Sequence, residues 1–427
     1  MQSRKRPDHR RSAPRPAAAL PLDGRGLAEL VTRLVSAIGA APDEAASLVA
    51  RALRRSAGIT EHDAYWARRW ARAALRHWQV EAATGVQVAE RAVLRAARRD
   101  AAMAAIPYEV PFQYLEQRAS LPPTKVAAWL SGPAEPHLAA GVSLHLWESL
   151  PASEREPFFA ASMHEAPLTV RVRGGASDLE RCAAELARDG FRVTRNPNAS
   201  AALDLDGERH VFGSACFLDG SIEVQDASSQ QLCEAIARLV PEGATLLDLC
   251  AGRGGKSLAL AALRPDLRIV ATDISDGRLS ELPARAARAG CRNLQVVPGL
   301  AAAHPEKGPR FDFVLVDAPC TGLGTLRRHP ELRLRDAAHA LAGAVAAQRS
   351  VIASGWARTG PQGLFLYATC SVLSAENDEA VASLAASNDA LSVPLPSPAG
   401  GADGRMRRAP QHDGTDGFFA AAFRRLA

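Results

Sequence analysis

Apolar residues change their spacing twice along the chain, and the changes divide it. From Gly26 to about Trp147 they recur at three and four. Leu27, Leu30, Val31, Leu34, Val35 and Ile38 form one series, and Ala45, Leu48, Val49 and Leu53 another. That is the period of helices with one buried face. In HDAYWARRWARAALRHW, Trp66, Trp70 and Ala73 share a face while Arg68, Arg69, Arg72 and Arg76 lie largely elsewhere. The stretch predicts a helix with an aromatic core stripe and a basic surface. Beyond SLPASEREP the texture changes. PLTVRVR (167–173) and FRVTRN read as strands flanking the helix ASDLERCAAELARDG, where Leu179, Cys182, Ala183 and Leu186 align and Gly190 is the stop. From Ile222 onward the apolar runs TLLDL, RIVATD, NLQVV, FDFVLVDAP and GLFLYATC alternate mostly with Ala-rich helical stretches, before a last strand in GFFAAAF. Near-continuous apolar strands separated by helices predict a parallel sheet covered on both faces. The expected organisation is a disordered arm (1–22), a helical domain (23–148), a small α+β domain (149–220) and an α/β domain (221–427).

Composition narrows the setting. No apolar run approaches the ~20 residues of a membrane span, and no signal-peptide core is visible. Seven cysteines without a C-x-x-C pair argue against a zinc site or a disulfide framework, so reduced thiols in a cytoplasm are expected, with no metal. The net charge of +5 is modest, but MQSRKRPDHRRSAPRP is rich in Arg and Pro and almost free of acid. It reads as a disordered arm that either brushes nucleic-acid phosphates or simply solubilises the chain. Lysine occurs only at positions 5, 125, 256 and 307, which draws attention to the one in the glycine-rich turn LDLCAGRGGKS. Its Gly-Lys-Ser ending is that of a nucleotide-triphosphatase phosphate loop, which needs a glycine five places before Gly255. Cys250 stands there instead.

In an open α/β sheet, ligands sit beyond the carboxyl ends of the strands, and the notable residues fall at such ends. Cys250, Ala251, Gly252, Arg253, Gly254, Gly255 and Lys256 follow the first strand, and Asp273 ends the second. Asp317 and Cys320 end the fourth, and Cys370 ends the fifth. An acid at Asp273 suits ribose hydroxyls; its other reading is a cap for the next helix, a task that Ser275 or Asp276 could serve equally well. The two cysteines should terminate neighbouring strands, about 4.8 Å apart, so their thiols can face one pocket.

At these residues the chain resembles the RsmB/Sun/NOP group of RNA (cytosine-5)-methyltransferases, of the bacterial ribosomal-RNA type. The likeness runs from PLTVRVR through IEVQDASSQQL, LDLCAGRGGKS, VATDIS, DAPCTGLGTLRRHPELR and YATCSVLSAEN to DGFFAAAF. It implies a Rossmann-like class I methyltransferase domain, preceded by a ferredoxin-like α+β domain and a NusB-like helical domain that hold RNA. It implies S-adenosylmethionine as cofactor, cradled by Cys250 to Lys256, with Asp273 on its ribose. Cys370 would be the nucleophile toward cytosine carbon 6. Asp317 would hold or protonate the ring at N3, besides lining the cofactor site, and Cys320 would assist release. Arg171 and Arg173 in the α+β strand, and Arg327 and Arg328 beside Cys320, are the candidate RNA contacts. The expected substrate is small-subunit ribosomal RNA and the expected state a monomer. Transfer RNA as substrate, or a catalytically weakened RNA-binding protein of this fold, are the alternatives. Two features depart from the family pattern. Gly252 and Arg253 replace an Ala-Pro pair in the turn, and Gly299 and Leu300 stand where an acid usually follows the third strand.

Overall fold

The computed structural model describes residues 22–55, 59–78, 81, 87–99, 110, 114–116, 119, 142–207, 210–305 and 308–426. The arm expected at 1–22 lies outside them, apart from Leu22, as does most of 100–141. The helical part contains α1 (Gly24–Ala40), α2 (Ala45–Arg55), α3 (Glu61–Arg76) and α4 (Val88–Arg99). Thr60 and Asp63 form a capping box that starts α3, each side chain accepting from the other's backbone N–H. The aromatic stripe is core as expected: Trp66 and Trp70 are buried among Leu27, Val31, Leu34 and Val93. The Trp70 indole donates to the Val93 carbonyl at 3.1 Å. Arg76 departs from the expected basic surface. It is fully buried, and its guanidinium reaches the Arg327 carbonyl at 3.5 Å.

The α+β part holds β1 (Leu168–Val172), α5 (Ala176–Arg188), β2 (Arg192–Arg195), β3 (Ala202–Asp206) and β4 (Ile222–Val224). All pairings are antiparallel in the order β2-β3-β1-β4. Strand β4 therefore belongs to the small sheet, and the expected boundary at 220 falls short of it. Its three residues pair with Val170, Arg171 and Val172, a partner that a short apolar run does not disclose.

The large sheet follows: β5 (Thr245–Asp248), β6 (Arg268–Ala271), β7 (Leu294–Val296), β8 (Phe311–Asp317), β9 (Thr359–Thr369), β10 (Ala390–Val393), β11 (Met406–Arg408) and β12 (Phe418–Arg425). Its order is β10-β12-β9-β8-β5-β6-β7, with β11 on β12. Strands β5 to β9 pair in parallel. The sheet is mixed rather than parallel throughout, because β12 inserts antiparallel between β9 and β10. The strand order reverses between β5 and β8, which opens a crevice at their carboxyl ends. The continuous apolar runs have a direct cause. Leu246, Phe313, Leu315, Leu364 and Leu366 pack into a core on one face. Leu247, Val314, Val316, Phe365 and Tyr367 pack into another on the opposite face, so the central strand positions are apolar on both faces.

The turn after β5 enters α6 (Gly255–Leu263) through two left-handed glycines, Gly252 at φ +55° and Gly254 at φ +84°. A Cβ at Gly252 would meet nothing within 4 Å, whereas one at Gly254 would lie 2.1 Å from Leu282 Cδ1. Gly252→Ala is therefore expected to cost about 1 kcal/mol, from backbone strain alone. Gly254→Ala should cost about twice that, since Leu282 must also move. Paired thermal melts check the ranking.

Candidate active site

Strands β8 and β9 are hydrogen-bonded neighbours whose ends lie level, Asp317 opposite Ala368. Three residues past Asp317 comes Cys320, and two past Ala368 comes Cys370. The two sulfurs lie 3.3 Å apart. A second tie holds the loops together, the Gly324 N–H donating to the Cys370 carbonyl at 2.9 Å. Both thiols line a cleft of about 1200 Å³ whose walls also include Cys250 to Arg253, Gly255, Lys256, Asp273 and Asp317. The hydrogen bond with Cys370, and then burial, hold the Cys320 thiol well above its ordinary range. Lys256 projects from α6 and donates to Asp317 Oδ2 at 2.5 Å. Burial works against its ammonium, but the Asp317 carboxylate outweighs it and the group is pushed up to about 12. A third of the Asp317 side chain stays exposed.

Opposite the thiols, Asp273 ties the glycine turn to the end of β6. Its Oδ2 accepts from Gly252 N and its Oδ1 from Ser275 N, both at 2.8 Å, and Arg278 adds a contact at 3.1 Å. The next short helix is capped by Ser275, which leaves Asp273 at the cleft wall as a brace for the turn. Asp248, the last residue of β5, is buried. Its Oδ2 accepts from Ser257 at 2.6 Å, but Oδ1 has no hydrogen-bond partner. Burial raises its carboxyl to about 7. An orphaned carboxylate oxygen in a cleft wall is a site for a cationic group. With the turn's open backbone, it fits the methionine end of an S-adenosylmethionine molecule. Arg253 does not crowd that space: its side chain is two-thirds exposed and turns to Glu281 at 3.5 Å.

The order β7-β6-β5-β8-β9-β12-β10, the glycine turn and the thiol pair can be set beside known proteins. Residues 236–424 match the family model described as 16S rRNA methyltransferase RsmB/F. The segment is similar to an RsmB/F methyltransferase domain. The family uses S-adenosylmethionine. Ribosomal RNA small subunit methyltransferase B of Xanthomonas campestris is 35% identical over 273 residues, covering 63% of this chain and 62% of that protein. The corresponding protein of Pasteurella multocida is 31% identical, with 60% of its length covered. The chain thus spans about three fifths of the length of these curated relatives. Among solved structures, PH0851 has a TM-score of 0.73 at 23% identity, covering 95% of this chain and 99% of that one. It shares the fold across nearly the whole chain.

Within and around this segment, the four expected RNA contacts have different surroundings. Arg171 is buried, and its Nε donates to Gln225 Oε1 at 2.9 Å. Gln225 in turn reaches the Gly255 carbonyl at 3.3 Å. Arg328 donates to Asp416 at 2.6 Å, Asp226 at 2.9 Å and the Pro167 carbonyl at 2.6 Å. Arg327 is buried and donates to the Gly414 carbonyl at 2.8 Å. These three arginines fasten parts of the molecule together, and Arg327 and Arg328 also line the groove at the junction of the three parts. Arg173 stays exposed, with Nη1 on the Ala289 carbonyl at 2.8 Å. The sequence reading missed Asp226, Asp248 and Glu376. Asp226 carried a signal, since Asp-Ala-Ser ahead of a helical run is an N-cap pattern, and its side chain caps α7 (Ala227–Leu239).

Among the described residues, no group of three or more His, Cys, Asp or Glu is placed to hold a metal ion. No helix among them is long and apolar enough to cross a membrane.

If Asp248 meets the cofactor's ammonium, binding must strengthen as Asp248 ionises. Affinity for S-adenosylmethionine should rise about fivefold to tenfold between about pH 6 and about pH 7.5, and Asp248→Asn should flatten the dependence. Calorimetric titration at several pH values measures both.

Proposed function

We propose that this chain transfers a methyl group from S-adenosylmethionine to carbon 5 of a cytosine in small-subunit ribosomal RNA. The observation that carries the reading is the sulfur pair, 3.3 Å apart in the cleft that also holds Lys256 and Asp317. Carbon 5 of cytosine is a poor nucleophile. When the Cys370 thiolate bonds to carbon 6, the electrons of the 5,6 double bond move toward carbon 5, which can then take a methyl group. The cofactor supplies that methyl group, activated as a sulfonium. Asp317 brings a proton to the acceptor N3 and takes it back on release, while the adjacent Lys256 ammonium offsets the charge left on the carboxylate. Release needs the proton on carbon 5 removed. Cys320 gives its own proton to solvent and then takes that one. The 5,6 double bond re-forms, the bond from carbon 6 to Cys370 breaks, and Cys370 leaves as thiolate. One proton reaches solvent per turnover. The high proton affinity of the buried Cys320 suits it to the second task rather than the first.

Both faces of the base must be reached, so the target cytosine is unstacked, in a loop or single strand. A groove of about 770 Å³ leads along the junction of the three parts, past Tyr65, Arg68, Arg72, Arg192, Phe212 and His329. Phe212 is half exposed and packs edge-on against Phe217. Cationic and aromatic side chains along one groove suit a flanking single strand. We assign the helical segment 23–148 and the α+β segment 149–220 to holding it.

Transfer of labelled methyl groups from S-adenosylmethionine to small-subunit ribosomal RNA tests the reading, with bisulfite sequencing to locate the product. Cys370→Ala should lose activity by at least about a thousandfold. Cys320→Ala should accumulate a covalent RNA–protein adduct on denaturing gels. Full activity in Cys370→Ala overturns the mechanism, and preferential labelling of transfer RNA overturns the substrate.

A further inference from the structure

Glu376 lies six residues past Cys370 and is fully buried. Four neutral donors converge on its carboxylate. Oε1 accepts from the Thr321 backbone N–H at 2.7 Å and from Gln348 Nε2 at 3.0 Å. Oε2 accepts from the hydroxyls of Thr321 and Ser371. Thr321 follows Cys320 and Ser371 follows Cys370, so one carboxylate grips the residue after each thiol. Gln348, from the helix Ala337–Arg358, also donates to the Pro319 carbonyl at 3.0 Å, just before Cys320. The Tyr367 hydroxyl, from β9, donates to the Glu376 backbone carbonyl at 2.7 Å. No arginine or lysine is paired with Glu376 among the described residues. A buried, unneutralised carboxylate is costly. Loop anchoring alone does not demand an acid, since an amide could accept some of these bonds. A reason for the charge is therefore needed.

We propose that Glu376 is a positioning residue that holds Cys320 against Cys370 and, through its negative charge, makes Cys320 the hydrogen-bond donor of the pair and Cys370 the nucleophile. The inference rests on the cytosine-5 reading above and deepens it. The titratable groups around Cys320 are few. Cys370 and Tyr367 belong to β9 and its end, Glu376 to the loop beyond, and the Asp317–Lys256 pair lies on the other side. The hydrogen bond with Cys370, burial, and the nearby Cys370 and Glu376 all raise the Cys320 thiol. A carboxylate beside one thiol of a pair disfavours ionisation there. The Cys320 thiol then donates to the Cys370 sulfur and stabilises its charge. The carboxylate is tied mainly to the Cys320 side, since Thr321 gives it two of its four hydrogen bonds and Ser371 one.

The test compares wild type, Glu376→Gln, Glu376→Ala and Thr321→Val in the full chain. Iodoacetamide alkylation of Cys320 and Cys370 is followed by peptide mass spectrometry across pH, beside kcat and KM for methyl transfer. In wild type near pH 8, Cys370 should react and Cys320 should not. In Glu376→Gln, Cys320 alkylation should rise about tenfold, kcat should fall about thirtyfold or more, and KM for S-adenosylmethionine should stay within about threefold. Should the Glu376 variants fail to fold, Thr321→Val, which removes one of the four donors, should show a smaller change in the same direction. Unchanged Cys320 alkylation in the folded variants overturns the inference, as does wild-type kcat in Glu376→Gln. The alkylation arm needs no RNA. If wild type makes no 5-methylcytosine, the functional reading fails while that arm still decides the role of Glu376.

Discussion

The structure depends on the level ending of two parallel neighbours. Because β8 and β9 are in register up to Asp317 and Ala368, the loops that leave them start side by side, and two cysteines fifty positions apart come within 3.3 Å of each other. Strand pairing fixes this more firmly than loop packing could, since a slip of one residue would turn Val316 and Tyr367 out of their buried face. The chemistry inherits its precision from the hydrogen-bond ladder. Where the ladder stops, the Gly324–Cys370 backbone bond and the buried Glu376 carry the constraint a few residues further.

A second layer of polar ties makes the parts one body. Arg328 binds Asp416, Asp226 and the Pro167 carbonyl, so the loop after Cys320 is joined to the last strand, to α7 and to the start of the small sheet. Glu223 of β4 takes Arg285 and Arg288 from the α/β part, and Arg171 reaches Gln225. Breaking a buried pair by removing one partner typically costs 3–5 kcal/mol, because the other charge is left unpaired. The small sheet is therefore held in a fixed relation to the cleft, which gives a bound strand a defined path to the thiols.

Much of this was legible in the sequence because burial on both faces writes a strand as an apolar run. TLLDL, FDFVLVDAP and GLFLYATC are strands for that reason, and chemistry-bearing residues past their ends mark the crevice. Trp66 and Trp70 were readable as core from their spacing. The roles of the arginines were not. RRHPELR looks like a basic surface loop, yet the acids that claim Arg328 lie 88 and 102 residues away, and no local pattern points to them. The expected boundary at 220 stops short of β4, because three residues carry too little pattern to name a partner. The antiparallel insertion of β12 and the burial of Glu376 are long-range facts of the same kind. Asp248 was hidden by its strand, where an acid between leucines reads as an interruption rather than a site.

The account stands on Cys370 being the sulfur that bonds to the base. The most direct measurement uses ribosomal RNA carrying 5-fluorocytosine, whose carbon 5 has no proton to release after methylation, so the adduct cannot collapse. With wild-type protein and S-adenosylmethionine, tandem mass spectrometry of the trapped complex should find the nucleotide on Cys370. An adduct on Cys320, or RNA that is methylated with no adduct at either thiol, would contradict it.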